Sequence, residues 1–128
     1  MTPTKRSLDM LRAEGWMVAV VEHWNPYAKI RQDLFGFADL LAVKRDEALL
    51  VQVTTGANMS ARIAKVDQCQ AAALWLECPT RSIEVHGWAK RGARGKRKTW
   101  TCRRMMKTDY GWGGFGEKET DNETETEG

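Results

Sequence analysis

No apolar run in this chain is long enough to cross a bilayer: the longest, such as Trp16 to Val21, fall far short of the ~20 residues a spanning helix needs. No apolar signal-peptide region follows Lys5 and Arg6, so the chain reads as cytoplasmic, with no membrane partner. Cysteine is scarce as well. Cys69, Cys78 and Cys102 are an odd number at no short metal-ligand spacing, and they read as buried or incidental thiols of a reducing compartment. Beyond Tyr110 a core-forming pattern is missing. Gly111-Trp112-Gly113-Gly114-Phe115-Gly116 and the acidic repeat after it read as a disordered tail over 111–128, and no internal repeat is visible.

What is present suits one domain over residues 1–110. The 128 residues are 42% hydrophobic and 29% charged, enough for a core without staples. The net charge of +3 hides a strong polarity. Residues 117–128 carry six acids against Lys118, a net of −5, which leaves +8 on the other 116 residues. A basic body with an acidic tail is the balance of a nucleic-acid binder. Most of the excess lies in one stretch: Lys90, Arg91, Arg94, Lys96, Arg97, Lys98, Arg103, Arg104 and Lys107 stand with no acid among them. These residues belong to an expected hairpin over about 82–107, with a Gly92/Gly95 tip, that would lie along phosphates. A solvated hairpin is the plainer reading.

Residues 5–14 have helical spacing, with Leu8 and Leu11 on one face, Thr4 or Ser7 as N-cap and Gly15 as the stop. Trp16 to Val21 reads as a mostly buried strand that ends at Glu22-His23-Trp24-Asn25-Pro26. Residues 25–35 read as a loop. A hairpin follows, with strands at about 37–43 and 49–54 joined by Lys44-Arg45-Asp46-Glu47. Met59 to Glu77 reads as the longest helix, stopped by Cys78-Pro79-Thr80. Ser82 to Trp88 and Lys98 to Arg103 alternate at period two, as strands with one covered face do. The order is α-β-β-β-α-β plus a last strand, hence an α/β fold with a mixed sheet flanked by helices.

Asp39 enters one strand of the first hairpin and Gln52 lies within the other, polar residues on otherwise apolar elements. Hydrolysis of a phosphodiester needs an electrophilic cation and an activated water, and Mg²⁺ takes oxygen ligands while keeping several waters. Asp39 offers a carboxylate, Gln52 a carbonyl oxygen, Val53 a backbone carbonyl, and Glu22 a further carboxylate if the first strand neighbours the hairpin. The plainer readings are a turn cap for Asp39, a surface or pairing residue for Gln52 and a solvated acid for Glu22. Asp33 orients Arg31, binds a second metal or starts a turn. His23 is a group that supports the metal ligands from behind, a general base or an exposed loop residue, the last being the plainer reading, and Trp24 and Tyr27 are candidates to stack on unpaired bases. Trp16, Trp75, Trp88 and Trp100 read as core.

The order of a helix, a strand ending in Glu22, Phe37-Ala38-Asp39, Val51-Gln52-Val53-Thr54 and a long helix resembles the PD-(D/E)XK nuclease superfamily. Within it, residues 5–90 are most similar to small Holliday-junction-resolvase-like and VRR-NUC-type proteins of phages and mobile elements. The resemblance implies a restriction-endonuclease-like fold and an Mg²⁺- or Mn²⁺-dependent endonuclease acting on DNA, branched DNA such as a Holliday junction included. It also implies a homodimer, with Asp39, Gln52 and Glu22 as metal ligands. The motif lysine is replaced by Thr54. Lys65 or Arg62, on one face with Asn58, could substitute for it; as nucleic-acid contacts they would hold the phosphate, and a solvated helix face is the plainer reading. The alternative is a catalytically inactive nuclease-fold module that binds DNA or protein.

Overall fold

A computed structural model describes the backbone of residues 1–120 and the side chains of 1–114. The chain opens with helix α1 (Pro3–Ala13), which begins earlier than its apolar spacing indicates. Pro3 occupies the first turn, where its missing N–H costs nothing, and the Thr2 hydroxyl accepts from the Lys5 N–H at 3.1 Å. Strand β1 (Met17–Val20) follows, then a small separate hairpin of β2 (His23–Asn25) and β3 (Ile30–Gln32). Residues 25–35 are therefore not a plain loop. Asn25 Oδ1 accepts from the N–H groups of Tyr27 (2.9 Å) and Ala28 (3.1 Å), which folds the chain back into β3.

Strands β4 (Leu40–Lys44) and β5 (Glu47–Thr55) form the expected antiparallel pair. The expected long helix is two pieces, α2 (Met59–Asp67) and α3 (Gln70–Trp75), because Cys69 adopts an extended conformation between them. They carry the chain to β6 (Arg81–Arg91), which runs parallel to β5, and β7 (Thr99–Thr108) pairs antiparallel with β6. Residues expected in the tail continue the sheet: β8 (Gly111–Thr120) pairs with β7. The rest of that expected tail, 121–128, lies outside the described residues.

The result is a mixed six-stranded sheet in the order β1-β4-β5-β6-β7-β8 with helices on both faces. On one face Leu8, Met10 and Leu11 of α1 pack against Leu40, Leu49, Val51 and Trp88. On the other, Met59, Val66, Ala72 and Leu76 pack against Phe37, Leu50, Ile83 and Val85. β5 is buried along most of its length because both faces are covered, as a near-continuous apolar run requires. β1 departs from its expected burial. It is an edge strand, and only Val18 is buried, while Met17 (72%) and Val20 (52%) remain exposed. Gly87 allows α2 to approach β6, since a Cβ there would overlap the Met59 side chain and lie 3.2 Å from Gly56 Cα. Trp88 is fully buried, and Trp16, Trp75 and Trp100 pack partly buried against the two cores. Among the described residues no helix is long and apolar enough to cross a membrane.

Candidate metal centre

Asp39 is fixed first by its backbone. Its N–H donates to Val51 O (2.8 Å) and its C=O accepts from the Val21 N–H (2.9 Å), so it is held between β5 and the chain leaving β1. The carboxylate then turns toward β5, where Oδ2 accepts from the Val53 N–H at 2.7 Å and from Gln52 Nε2 at 2.9 Å. The hairpin thus brings Asp39 and Gln52 into contact.

A second turn delivers a residue that spacing alone left ambiguous. Leu34 and Ala38 exchange backbone hydrogen bonds at 2.8 and 2.9 Å around a tight turn in which Phe35 (φ 57°) and Gly36 (φ 84°) are both left-handed. Phe37 N–H closes it by donating to Leu34 O at 3.1 Å. This antiparallel register sets Asp33 opposite Asp39. Glu22 joins from the end of β1, and carboxylate oxygens of Glu22, Asp33 and Asp39 lie within 4.8 Å of one another.

Three carboxylates this close repel unless a proton or a cation relieves them. Burial, opposed by the Val53 N–H and reinforced by the charges of Asp33 and Glu22, pushes Asp39 up to about 7. The side-chain cations beside the cluster stand at its margin: Arg31 Nη1 is 3.6 Å from Glu22 Oε2 and Lys65 Nζ is 3.9 Å from Asp33 Oδ2. Gln52 supplies an independent sign. It is 2% exposed, and its Oε1 has no hydrogen-bond partner among the described residues. A buried carbonyl left bare costs on the order of 1–3 kcal/mol. Turning the amide over exchanges its N and O and brings the carbonyl to the carboxylates at the expense of the hydrogen bond to Asp39, an exchange that a cation bound there would have to offset. The donors are all oxygen, the set that Mg²⁺ and Mn²⁺ prefer, and the residues fit such an ion.

Comparison with known proteins finds no matching family model, no matching curated protein and no matching solved structure.

Two of the three expected ligands, Asp39 and Glu22, are in the carboxylate cluster, and Gln52 touches it through Asp39. Asp33 is the residue that sequence reasoning did not commit to. Thr54, at the position where the resemblance implies a lysine, is buried and uncharged, whereas Lys65 stands 3.9 Å from Asp33 on α2, one turn beyond half-buried Arg62. Exposed His23 and Arg31 line a cavity of about 540 Å³ together with half-buried Asp33 and Lys65.

The basic stretch divides. Lys90, Arg91, Arg94, Lys96, Arg97 and Lys98 are exposed around the β6–β7 turn, and Arg103 is exposed on β7. Because β5 and β6 are parallel, with Thr55 opposite Trp88, this turn lies at the same sheet end as the carboxylates. The separation is on the order of 20 Å by strand geometry.

Arg104 does not belong with them. It is 6% exposed, and its Nε and Nη2 donate to Glu84 Oε1 at 3.0 and 2.9 Å, while Nη1 donates to Glu14 Oε2 at 2.6 Å. The same Glu84 oxygen accepts from His86 Nε2 at 2.7 Å, which leaves His86 Nδ1 to accept from the Ser7 hydroxyl at 2.8 Å. Trp88 Nε1 donates in turn to Ser7 Oγ at 2.8 Å. Ser7, His86 and Glu84 mimic a hydrolytic triad, but all are buried, His86 completely, and no substrate can reach them. Burial drives His86 below the usual imidazole range despite Glu84, so the ring is neutral and the chain of bonds is closed. This network ties α1 to β6 and β7.

Proposed function

We propose that this chain is a restriction-endonuclease-like, DNA-binding phosphodiesterase that works with Mg²⁺ or Mn²⁺. The observation that carries the reading is the convergence of Glu22, Asp33 and Asp39 against a buried Gln52 whose carbonyl oxygen is unpartnered among the described residues. The finer fold assignment draws support from the order of α1, the antiparallel run β1-β4-β5 and the parallel β6 reached through α2 and α3.

Glu22, Asp33, Asp39 and Gln52 Oε1 would hold the ion, which when bound polarises a phosphoryl oxygen and makes a coordinated water acidic. Val53 N–H fixes the Asp39 carboxylate so that one oxygen stays oriented while the other remains for coordination. Lys65 Nζ, beside Asp33, is positioned to neutralise a non-bridging phosphate oxygen, the task Thr54 cannot perform. His23 lines the same cavity and can accept the proton that the attacking water releases. The basic turn at the same sheet end would hold flanking duplex, since its separation from the carboxylates is less than one helical repeat of about 34 Å. A homodimer, in which two copies cut symmetric strands of a junction, extends the same reading.

The test is incubation of the pure protein with a four-way junction, a flap, a single strand and a linear duplex in Mn²⁺ or Mg²⁺. Cleavage that EDTA abolishes is the expected result. Tight binding with no cleavage of any substrate would mark the inactive module instead. Replacing Arg94, Lys96, Arg97 and Lys98 by glutamine should weaken binding to every substrate alike. It should also flatten the slope of log K against log salt by about 0.7–0.9 for each phosphate no longer neutralised. The melting temperature should not move, because these side chains are exposed.

A further inference from the structure

The β2–β3 hairpin has a composition that its structural role does not explain. It makes a sheet of its own, joined to neither edge of the large one. Such a two-stranded unit is marginal by itself and gains from burying any apolar side chain it has. Yet Trp24 is 56% exposed, Tyr27 95% and Ile30 51%. Residues 23–32 contain Lys29 and Arg31 and no acid.

Its attachment matters as much as its composition. Glu22 immediately precedes β2 and Asp33 immediately follows β3, so the arm is rooted at both ends in the carboxylate cluster. Trp24 pairs directly with Arg31, which puts the indole and the guanidinium side by side on one face of the hairpin. Arg31 in turn reaches Glu22 at 3.6 Å. It also lines both the 540 Å³ cavity beside Asp33 and Lys65 and a second cavity of about 440 Å³ beside Glu22 and Lys5. An aromatic ring, a cation and the cluster therefore follow one another in space.

We propose that this hairpin is a stacking arm for unpaired nucleobases, holding a single-stranded segment of the substrate next to the carboxylate cluster; the assignment rests on the phosphodiesterase reading above. Trp24 and Tyr27 take the faces of successive bases, and Arg31 takes the intervening phosphate. Every base has such a face, so the arm has no sequence preference, but a duplex hides those faces inside its stack. The substrate class is thus nucleic acid with an unpaired stretch at the cut: a flap, a fork or an open junction. The two cations and the absence of acids in 23–32 favour a polyanion over an apolar protein segment as the occupant.

Affinities of wild type, Trp24→Ala/Tyr27→Ala and Trp24→Phe are measured by fluorescence anisotropy in EDTA, with short oligo(dT) and with blunt duplex. The double variant should bind oligo(dT) about ten- to a hundredfold more weakly and duplex within about threefold of wild type, while Trp24→Phe retains most of the affinity. Unchanged melting temperatures verify that the exposed substitutions leave the fold intact. Equal losses on both probes, or no loss on either, overturn the proposal. So does a double variant that dissociates a self-associated wild type in sedimentation yet binds oligo(dT) normally, because the face would then join two copies. These affinities need neither metal nor cleavage. A protein that cuts nothing but binds oligo(dT) through Trp24 refutes only the phosphodiesterase reading, and one that cuts flaps equally well without Trp24 and Tyr27 refutes only the arm.

Discussion

Asp39→Asn should melt higher than the wild type at pH 8 in EDTA and should lose the stabilisation that Mn²⁺ gives the wild type. The two effects have one cause. Asp39 is buried beside Glu22 and Asp33 and is pushed up to about 7 from an ordinary 3.8. A group whose folded value lies above its unfolded value contributes stability that is full below the unfolded value and is lost as pH rises through the folded one. Between about pH 4 and 7 the metal-free protein therefore gives up on the order of 4 kcal/mol at this residue.

Asparagine keeps an oxygen for the Val53 N–H, drops the charge and recovers most of that loss. It also removes the central ligand of the proposed metal site, so the proposed metal-dependent cleavage should fall more than about a hundredfold. In the proposed site, protons would compete with the metal for Asp39. Apparent metal affinity should drop by about tenfold per pH unit below 7. Thermal melts at pH 5 and pH 8, with and without Mn²⁺, check this. A wild type indifferent to both variables would contradict it.

Arg104→Ala should cost about 3–5 kcal/mol of folding stability and leave DNA affinity nearly unchanged. The substitution strands Glu84, whose side chain is 3% exposed, with His86 as its remaining side-chain partner among the described residues, and takes from Glu14 its 2.6 Å hydrogen bond. In the wild type, burial raises Glu84, but the hydrogen bond from neutral His86 together with the Arg104 guanidinium overcomes it and holds the carboxyl below its usual value. Without Arg104 that balance reverses. The deficit of the variant should shrink as pH falls and Glu84 takes up a proton. Adding Glu84→Gln should restore part of the stability, since it removes the uncompensated charge. Urea unfolding measures all three proteins. If Arg104→Ala unfolds like the wild type yet binds DNA poorly, Arg104 contacts phosphate and the buried network is misjudged.

The contrast between Arg104 and its neighbours shows where sequence reading stops. In the string of cations from Lys90 to Lys107 nothing local distinguishes Arg104. Its burial is decided by Glu14 and Glu84, 90 and 20 positions away. The β4–β5 hairpin was legible because its strands are apolar runs joined by a charged turn, and that pairing brings Gln52 to Asp39.

Asp33 was harder. Its place beside Asp39 depends on a turn that puts Phe35, a residue rarely left-handed, at positive φ next to Gly36. The break between α2 and α3 carries no glycine or proline to announce it, and apolar spacing runs on across Gln68 and Cys69. The glycines of 111–116 argue against a strand, yet the open edge of β7 supplies the pairing that overrides propensity.

The most direct measurement is anomalous diffraction from crystals of the wild type soaked in Mn²⁺ at pH 8. A single strong peak is expected among the carboxylates of Glu22, Asp33 and Asp39, with the Gln52 carbonyl turned toward it, and no peak in crystals of Asp39→Asn. A wild-type map with no manganese at this position, or with manganese retained there in Asp39→Asn, would contradict it.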